Sequence, residues 1–114
     1  MTIAGLFAIL HFVVHMNDIT SPELKERQHN GTAPVIIDVR ETWENEESHI
    51  SGSRNIPLGE LPGKLDELED LKHQEIVVHC KSGGRSASAK AFLVQHGFDH
   101  VRNLLGGMQG YQQA

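Results

Sequence analysis

A chain of 114 residues and 12.6 kDa holds one domain with a modest core, which excludes a multidomain arrangement. Ten Lys and Arg against fifteen Asp and Glu give a formal charge of −5 at pH 7, so the basic surplus that draws a protein to phosphate backbones is missing and no nucleic-acid partner is expected. The apolar fraction of 39% and charged fraction of 22% are those of an ordinary globular protein, not of a disordered chain.

From Ile3 to Val14 the chain is apolar apart from His11. That run is shorter than the ~20 residues of a membrane-spanning helix. No Lys or Arg precedes it, as one would in a secretory signal. Ile3, Leu6, Phe7, Leu10, Val13 and Val14 keep helical spacing, so a short helix docked on the domain is expected. Membrane contact through residues 3–14 is the less favoured alternative. His11 and His15 stand one helical turn apart without a third ligand nearby, and no metal site is assigned to them. Residues 1–15 are set apart as an extension and 16–114 as the domain. With one cysteine and no export signal, a reducing, cytoplasmic location is expected.

Thr20-Ser21-Pro22-Glu23 places a capping hydroxyl before a first-turn proline, which predicts a helix ending at Gly31. Pro34 to Val39 is a nearly continuous β-branched run, the pattern of a strand buried on both faces of a parallel sheet, with Asp38 and Arg40 at its carboxyl end. Glu41 to Ser48 is polar and acidic around Trp43, and Arg54 to Pro57 reads as a short strand. Leu65, Leu68 and Leu71 predict a helix over 64–71. Ile76 to His79 is a second buried strand, leading straight into Cys80. A tight loop follows, then a helix from about Ser86 to His96 stopped by Gly97. Val101 to Leu104 reads as a last strand before Gly106-Gly107 and a short terminal helix. Strands alternating with helices predict an α/β layer sandwich with a mostly parallel sheet.

Cys80 therefore lies where an α/β sheet places its ligands, beyond the carboxyl end of a strand and ahead of a helix N-terminus. Gly83 and Gly84 let the backbone curl so that successive amides converge on an anion. Those amides, the helix dipole and the cations Lys81 and Arg85 all favour thiolate over thiol, which makes Cys80 a nucleophile.

The chain resembles the rhodanese-like family in Asp38-Val39-Arg40-Glu41 with Trp43-Glu44, in Ser48-His49-Ile50 with Gly52-Ser53, and in Asn55-Ile56-Pro57-Leu58. The resemblance continues through His79-Cys80-Lys81-Ser82-Gly83-Gly84-Arg85-Ser86 to Gly106-Gly107-Met108. It implies a five-stranded parallel sheet flanked by helices. It also implies a catalytic Cys80 that carries a sulfane sulfur as a persulfide, held in a loop of Lys81, Ser82, Gly83, Gly84, Arg85 and Ser86. Asp38 and Arg40 become structural or rim positions. Phosphatases of the family carry five residues between Cys and Arg, and this chain has four, which favours sulfur over phosphorus. Tyr111 stands where the family often has tryptophan.

The expected reaction takes sulfur from thiosulfate or a similar donor and gives it to a thiophilic acceptor, with Arg85 and Lys81 binding the donor's sulfonate and Ser82 and Ser86 adding hydroxyl donors. No metal or cofactor is called for. The alternative is a relay that takes persulfide from a partner protein, with a thioredoxin-like acceptor among the candidates. His79 is expected to be structural and to face away from Cys80, Trp43 to cover the core edge, and His49 to make a fixed turn hydrogen bond. The acidic run Glu44 to Glu47 is expected to be a solvated face, and Asp38 and Arg40 a loop-anchoring pair.

Overall fold

A computed structural model of the chain describes residues 17–114. The expected docked helix over residues 3–14 and the His11–His15 pair lie outside the described residues. Strands β1 (Val35–Asp38), β2 (Arg54–Asn55), β3 (Ile76–His79) and β4 (Val101–Asn103) form one parallel sheet in the order β2-β1-β3-β4. Among the described residues the sheet thus has four strands, where five were expected. The fifth member is reduced to a single parallel bridge between Ile19 and Leu104. Its brevity has a local cause: the next residue, Thr20, already caps a helix, so the chain turns away after one rung.

That helix, α1 (Ser21–His29), starts as its sequence predicts, with the Thr20 hydroxyl accepting the Glu23 N–H at 3.2 Å and proline in the first turn. It is followed by α2 (Thr42–Glu47), α3 (Gly84–Gln95) and α4 (Gly107–Gln113). The helix expected over 64–71 is not formed as such. Two 3₁₀ segments, Leu58–Lys64 and Glu69–Leu71, flank a turn instead, closed by short-range bonds such as Leu71 N–H to the Leu68 carbonyl at 2.9 Å. Gly59, Pro62 and Gly63 weaken α-helix formation just upstream, while Leu61 and Leu68 still bury fully.

The two-residue alternation of β1 and β3 sorts the core onto two faces. Ile37, Ile76 and Val78 point toward Ala89 and Leu93 of α3 and toward Leu61 and Leu68. Ile36 and Val77 point the other way, toward Leu24 of α1 and Met108 of α4. The result is a three-layer helix–sheet–helix sandwich. Chain order reverses direction between the neighbours β1 and β3, since β2 lies outside β1 and β4 outside β3. The loops leaving the carboxyl ends of β1 and β3 therefore diverge, and a crevice opens between them.

Candidate functional site

Cys80 leaves β3 on the same face as Ile76 and Val78 and is almost wholly covered, with 1% of its surface exposed. Gly83, at φ +119°, bends the chain back so that its N–H points at the sulfur, 3.1 Å away. The Ser86 N–H, in the first turn of α3, points at the same atom at 3.4 Å, and the Ser86 hydroxyl stands 3.3 Å from it. Burial alone pushes the thiol pKa up. The hydrogen bonds from the Ser86 hydroxyl and from the Ser86, Gly83 and Ser82 amides outweigh it, and the Cys80 pKa lies below its ordinary value.

The Ser86 hydroxyl has one proton and three acceptors in reach: the Asn103 Oδ1 at 2.6 Å, the Gly83 carbonyl at 3.2 Å and the Cys80 sulfur. The shortest of these is to Asn103, so the hydroxyl shares its proton between Asn103 and the sulfur, and the Gly83 and Ser86 amides add to its hold on the sulfur. Asn103 in turn donates from Nδ2 to the Gly83 carbonyl at 3.1 Å, fixing the peptide whose glycine bends the loop. Its own N–H is held by Asp18 at 2.9 Å.

The other side of the loop rests on the start of α4. The Cys80 carbonyl accepts the Met108 N–H at 2.8 Å, and the Lys81 carbonyl accepts the Gln109 N–H at 3.1 Å. Gly107 makes this approach possible: a Cβ there would lie 2.6 Å from the Lys81 carbonyl carbon and oxygen and 2.7 Å from the Cys80 oxygen. Lys81 and Ser82 are exposed at the mouth, whereas Ser86 is fully buried beneath it.

Asp38 and Arg40 form a buried pair at 2.8 Å at the carboxyl end of β1. Burial opposes the Asp38 charge, but the Arg40 guanidinium, Asn45 and the Arg40 amide hold its carboxyl below the usual range. Arg40 also donates to the Ser48 carbonyl at 2.7 Å and to the Glu44 carbonyl at 3.4 Å. The pair thus anchors α2 and its flanks, not the Cys80 loop itself.

Glu44 departs from the expected solvated face. Its two carboxylate oxygens take the Arg85 Nη1 and Nη2 at 2.6 and 3.0 Å, joining α2 to α3 across the crevice. That contact outweighs a desolvation penalty, and the Glu44 pKa falls to about 2. Glu44 raises the Arg85 pKa in return. Arg85, expected to face the donor, has both terminal nitrogens engaged by this carboxylate.

Trp43 does not cover the core edge: it is 61% exposed, on the outer side of the six-residue α2. His49 makes its turn hydrogen bond, Nδ1 to the Asn45 carbonyl at 3.2 Å. His79 lies fully buried, one residue out of phase with Cys80 along the strand. Burial lowers its pKa, which favours the neutral ring. Tyr111 closes the far side of α4, its hydroxyl donating to Gln28 at 2.8 Å with the Lys25 ammonium over its ring.

A groove of about 180 Å³ opens between α2, Lys81 and α4, walled by Arg40, Trp43, Glu44, Lys81, Met108 and Gln109. Among the described residues no group of three or more His, Cys, Asp or Glu is placed to hold a metal ion, and no helix is long and apolar enough to cross a membrane. Asn103 and the Glu44–Arg85 contact escape sequence reasoning, since their partners lie 17 and 41 residues away and leave no local pattern.

The arrangement can hold one anionic sulfur. The model of the rhodanese-like domain matches residues 20–114. A sulfurtransferase of Allochromatium vinosum is 31% identical over 93 residues, covering 82% of this chain and 85% of its own. The thiosulfate sulfurtransferase GlpE of Stutzerimonas stutzeri is 39% identical over 88 residues, 77% of this chain and 78% of its own. The crystal structure of SSP1007 from Staphylococcus saprophyticus superposes with a TM-score of 0.76 at 34% identity, covering 84% of this chain and 93% of that one. With the cysteine cradle, the parallel sheet and these relatives in agreement, the chain belongs to the rhodanese-like domain family.

Proposed function

We propose that the protein is a sulfurtransferase in which the Cys80 thiolate takes the outer sulfur of thiosulfate or a similar sulfane donor and passes it to a thiophilic acceptor, cyanide or a thiol. In the first half-reaction the Cys80 sulfur bonds to the outer sulfur of thiosulfate while the donor's S–S bond breaks, and sulfite leaves with the electron pair. The enzyme then holds a Cys80 persulfide of one negative charge. In the second half-reaction cyanide attacks the outer sulfur, thiocyanate forms, and the Cys80 thiolate returns. The hydrogen bonds that lower the Cys80 pKa favour the thiolate and take the part a general base would otherwise play.

The observation that carries this reading is the convergence of the Gly83 and Ser86 amides on a single sulfur, at 3.1 and 3.4 Å. The same ring of Lys81, Ser82, Gly83, Gly84, Arg85 and Ser86 supports the outer sulfur, which takes over the single negative charge when the persulfide forms. Lys81 at the exposed mouth supplies charge for the sulfonate. A loop with four residues between Cys80 and Arg85 suits one sulfur better than a phosphoryl group with three equatorial oxygens.

A second reading is favoured by the Glu44–Arg85 contact, which leaves less net positive charge for a small dianion. In it the sulfur arrives as persulfide from a partner protein and leaves to a thiol such as that of a thioredoxin-like protein. Intact mass spectrometry tests the shared step. Exposure to a sulfane donor is expected to add one sulfur, ~32 Da, at Cys80, and cyanide is expected to remove it. A protein that never gains this mass from thiosulfate or from an organic persulfide would contradict both readings.

A further inference from the structure

The carboxylate that meets Arg85 is built in, not incidental. Glu44 is fixed from three sides: its Oε1 also accepts the Glu41 N–H at 3.0 Å, its carbonyl accepts Arg40, and Arg40 is locked to Asp38. Its side chain is only 12% exposed. It stays ionised through the physiological range, as its pKa of about 2 requires. Arg40, the guanidinium on the groove wall, is likewise matched by Asp38. Glu47 adds a further carboxylate to the groove, and Lys81 stands as the cation at the mouth. The groove therefore has little net positive charge to attract a dianion. It does have Trp43 and Met108, which offer apolar contact to an organic stem.

We propose that Glu44 sets donor preference, acting through Arg85: by offsetting the guanidinium charge beside the Cys80 loop it favours an organic persulfide over dianionic thiosulfate. The proposal rests on the persulfide chemistry given above. In the favoured step the Cys80 thiolate bonds to the outer sulfur of R–S–SH and the donor's S–S bond breaks. R–S⁻ departs with the electron pair, and the proton remains on the transferred sulfur. Charge balances at one negative on each side, and no oxidant or reductant is consumed. Glu44 touches neither reacting sulfur in this step. It is a positioning residue.

The test separates KM from kcat for two donors, thiosulfate and cysteine persulfide, with cyanide as acceptor. Glu44→Gln removes the charge and keeps the shape. Its thiosulfate KM is expected to fall about fivefold, the effect of roughly one unmasked surface charge, while kcat and the persulfide KM change less than about twofold. Glu44→Ala serves as a second charge-removing variant if the amide disturbs folding, and Glu44→Asp is expected to restore the parent's preference. In an Arg85→Ala background Glu44→Gln is expected to gain nothing. Glu46→Gln removes an equal charge from an exposed position of α2 and is expected to leave the donor ratio unchanged.

An equal shift for both donors, the same shift in Glu46→Gln, or a gain that persists without Arg85 would overturn the role of Glu44. The mass of the parent protein tells this failure from a deeper one. Loading of Cys80 by both donors with a ratio indifferent to Glu44 removes only this proposal, whereas loading by neither removes sulfur transfer as well.

Discussion

Cys80→Ser is expected to abolish sulfur transfer, with a loss of about 10³-fold or more in kcat/KM, while the protein stays folded. An alcohol at this position is not ionised at neutral pH and cannot form a persulfide, so no residual route remains through the loop. Folding should survive because a serine oxygen still accepts the Gly83 and Ser86 amides that now meet the sulfur at 3.1 and 3.4 Å. The cost is confined to replacing a polarisable atom in the cluster of Val78, Ala89 and Leu93 by a smaller polar one, about 1 kcal/mol. Thiocyanate formation and a urea titration on the same preparation check both halves. Transfer retained by the serine variant would remove Cys80 from the mechanism.

The largest structural effect is expected from Gly107→Ala. The new methyl would sit 2.6 Å from the Lys81 carbonyl and 2.7 Å from the Cys80 oxygen, and these are backbone atoms that cannot swing aside. The residue also has φ +57°, which an L side chain adopts at a cost. Relief requires α4 to move off the loop, breaking the Met108 and Gln109 amide bonds to Cys80 and Lys81. A destabilisation of roughly 2 kcal/mol or more is expected, with activity falling further because the peptides displaced are those that shape the sulfur cradle. Gly84→Ala is the internal comparison. A Cβ there meets nothing within 4 Å, and its cost is expected to be small although it lies nearer to Cys80 in sequence. Equal denaturation midpoints for the two variants would contradict this account of the α4 contact.

The contrast between those two glycines shows what the sequence can and cannot convey. Gly83 and Gly84 announce themselves because they fall between a strand and a helix, beside the only cysteine, where a curled loop is the local expectation. Gly107 is visible as half of a double glycine, but its reason lies in a backbone 26 residues upstream that only the folded sheet brings near. The buried strands were legible for the same local reason as the loop: β-branched runs at 35–39 and 76–78 have few alternatives. The leucines at 65, 68 and 71 kept their inward direction, yet Gly and Pro next to them turned the expected helix into 3₁₀ pieces. The fifth strand failed because one residue, Thr20, caps a helix where a ladder would have continued.

Charge pairing was the least legible feature. Glu44 sits in an acidic run that by composition belongs to solvent, and Arg85 sits in a loop that by composition belongs to an anion. Nothing local to either predicts their contact over 41 residues. Asp38 and Arg40, two residues apart, could be foreseen as a pair. Which segment they anchor could not, because it depends on where Ser48 and Asn45 return to β1.

The Ser86 hydroxyl and the loop amides hold the Cys80 pKa down against the sulfur's own desolvation. Cys80 is the single cysteine, so the ultraviolet thiolate absorbance of the parent minus that of Cys80→Ser, followed against pH, reports this one group. The expected midpoint lies below that of an ordinary cysteine, with persulfide loading rising over the same range and level above it. Because the folded pKa is the lower one, the stability gained from the anion is complete above the unfolded value and is lost as pH falls through the folded one. A midpoint at or above that of an ordinary cysteine would mean that burial outweighs the hydrogen bonds, and the proposed persulfide carrier would be without its nucleophile.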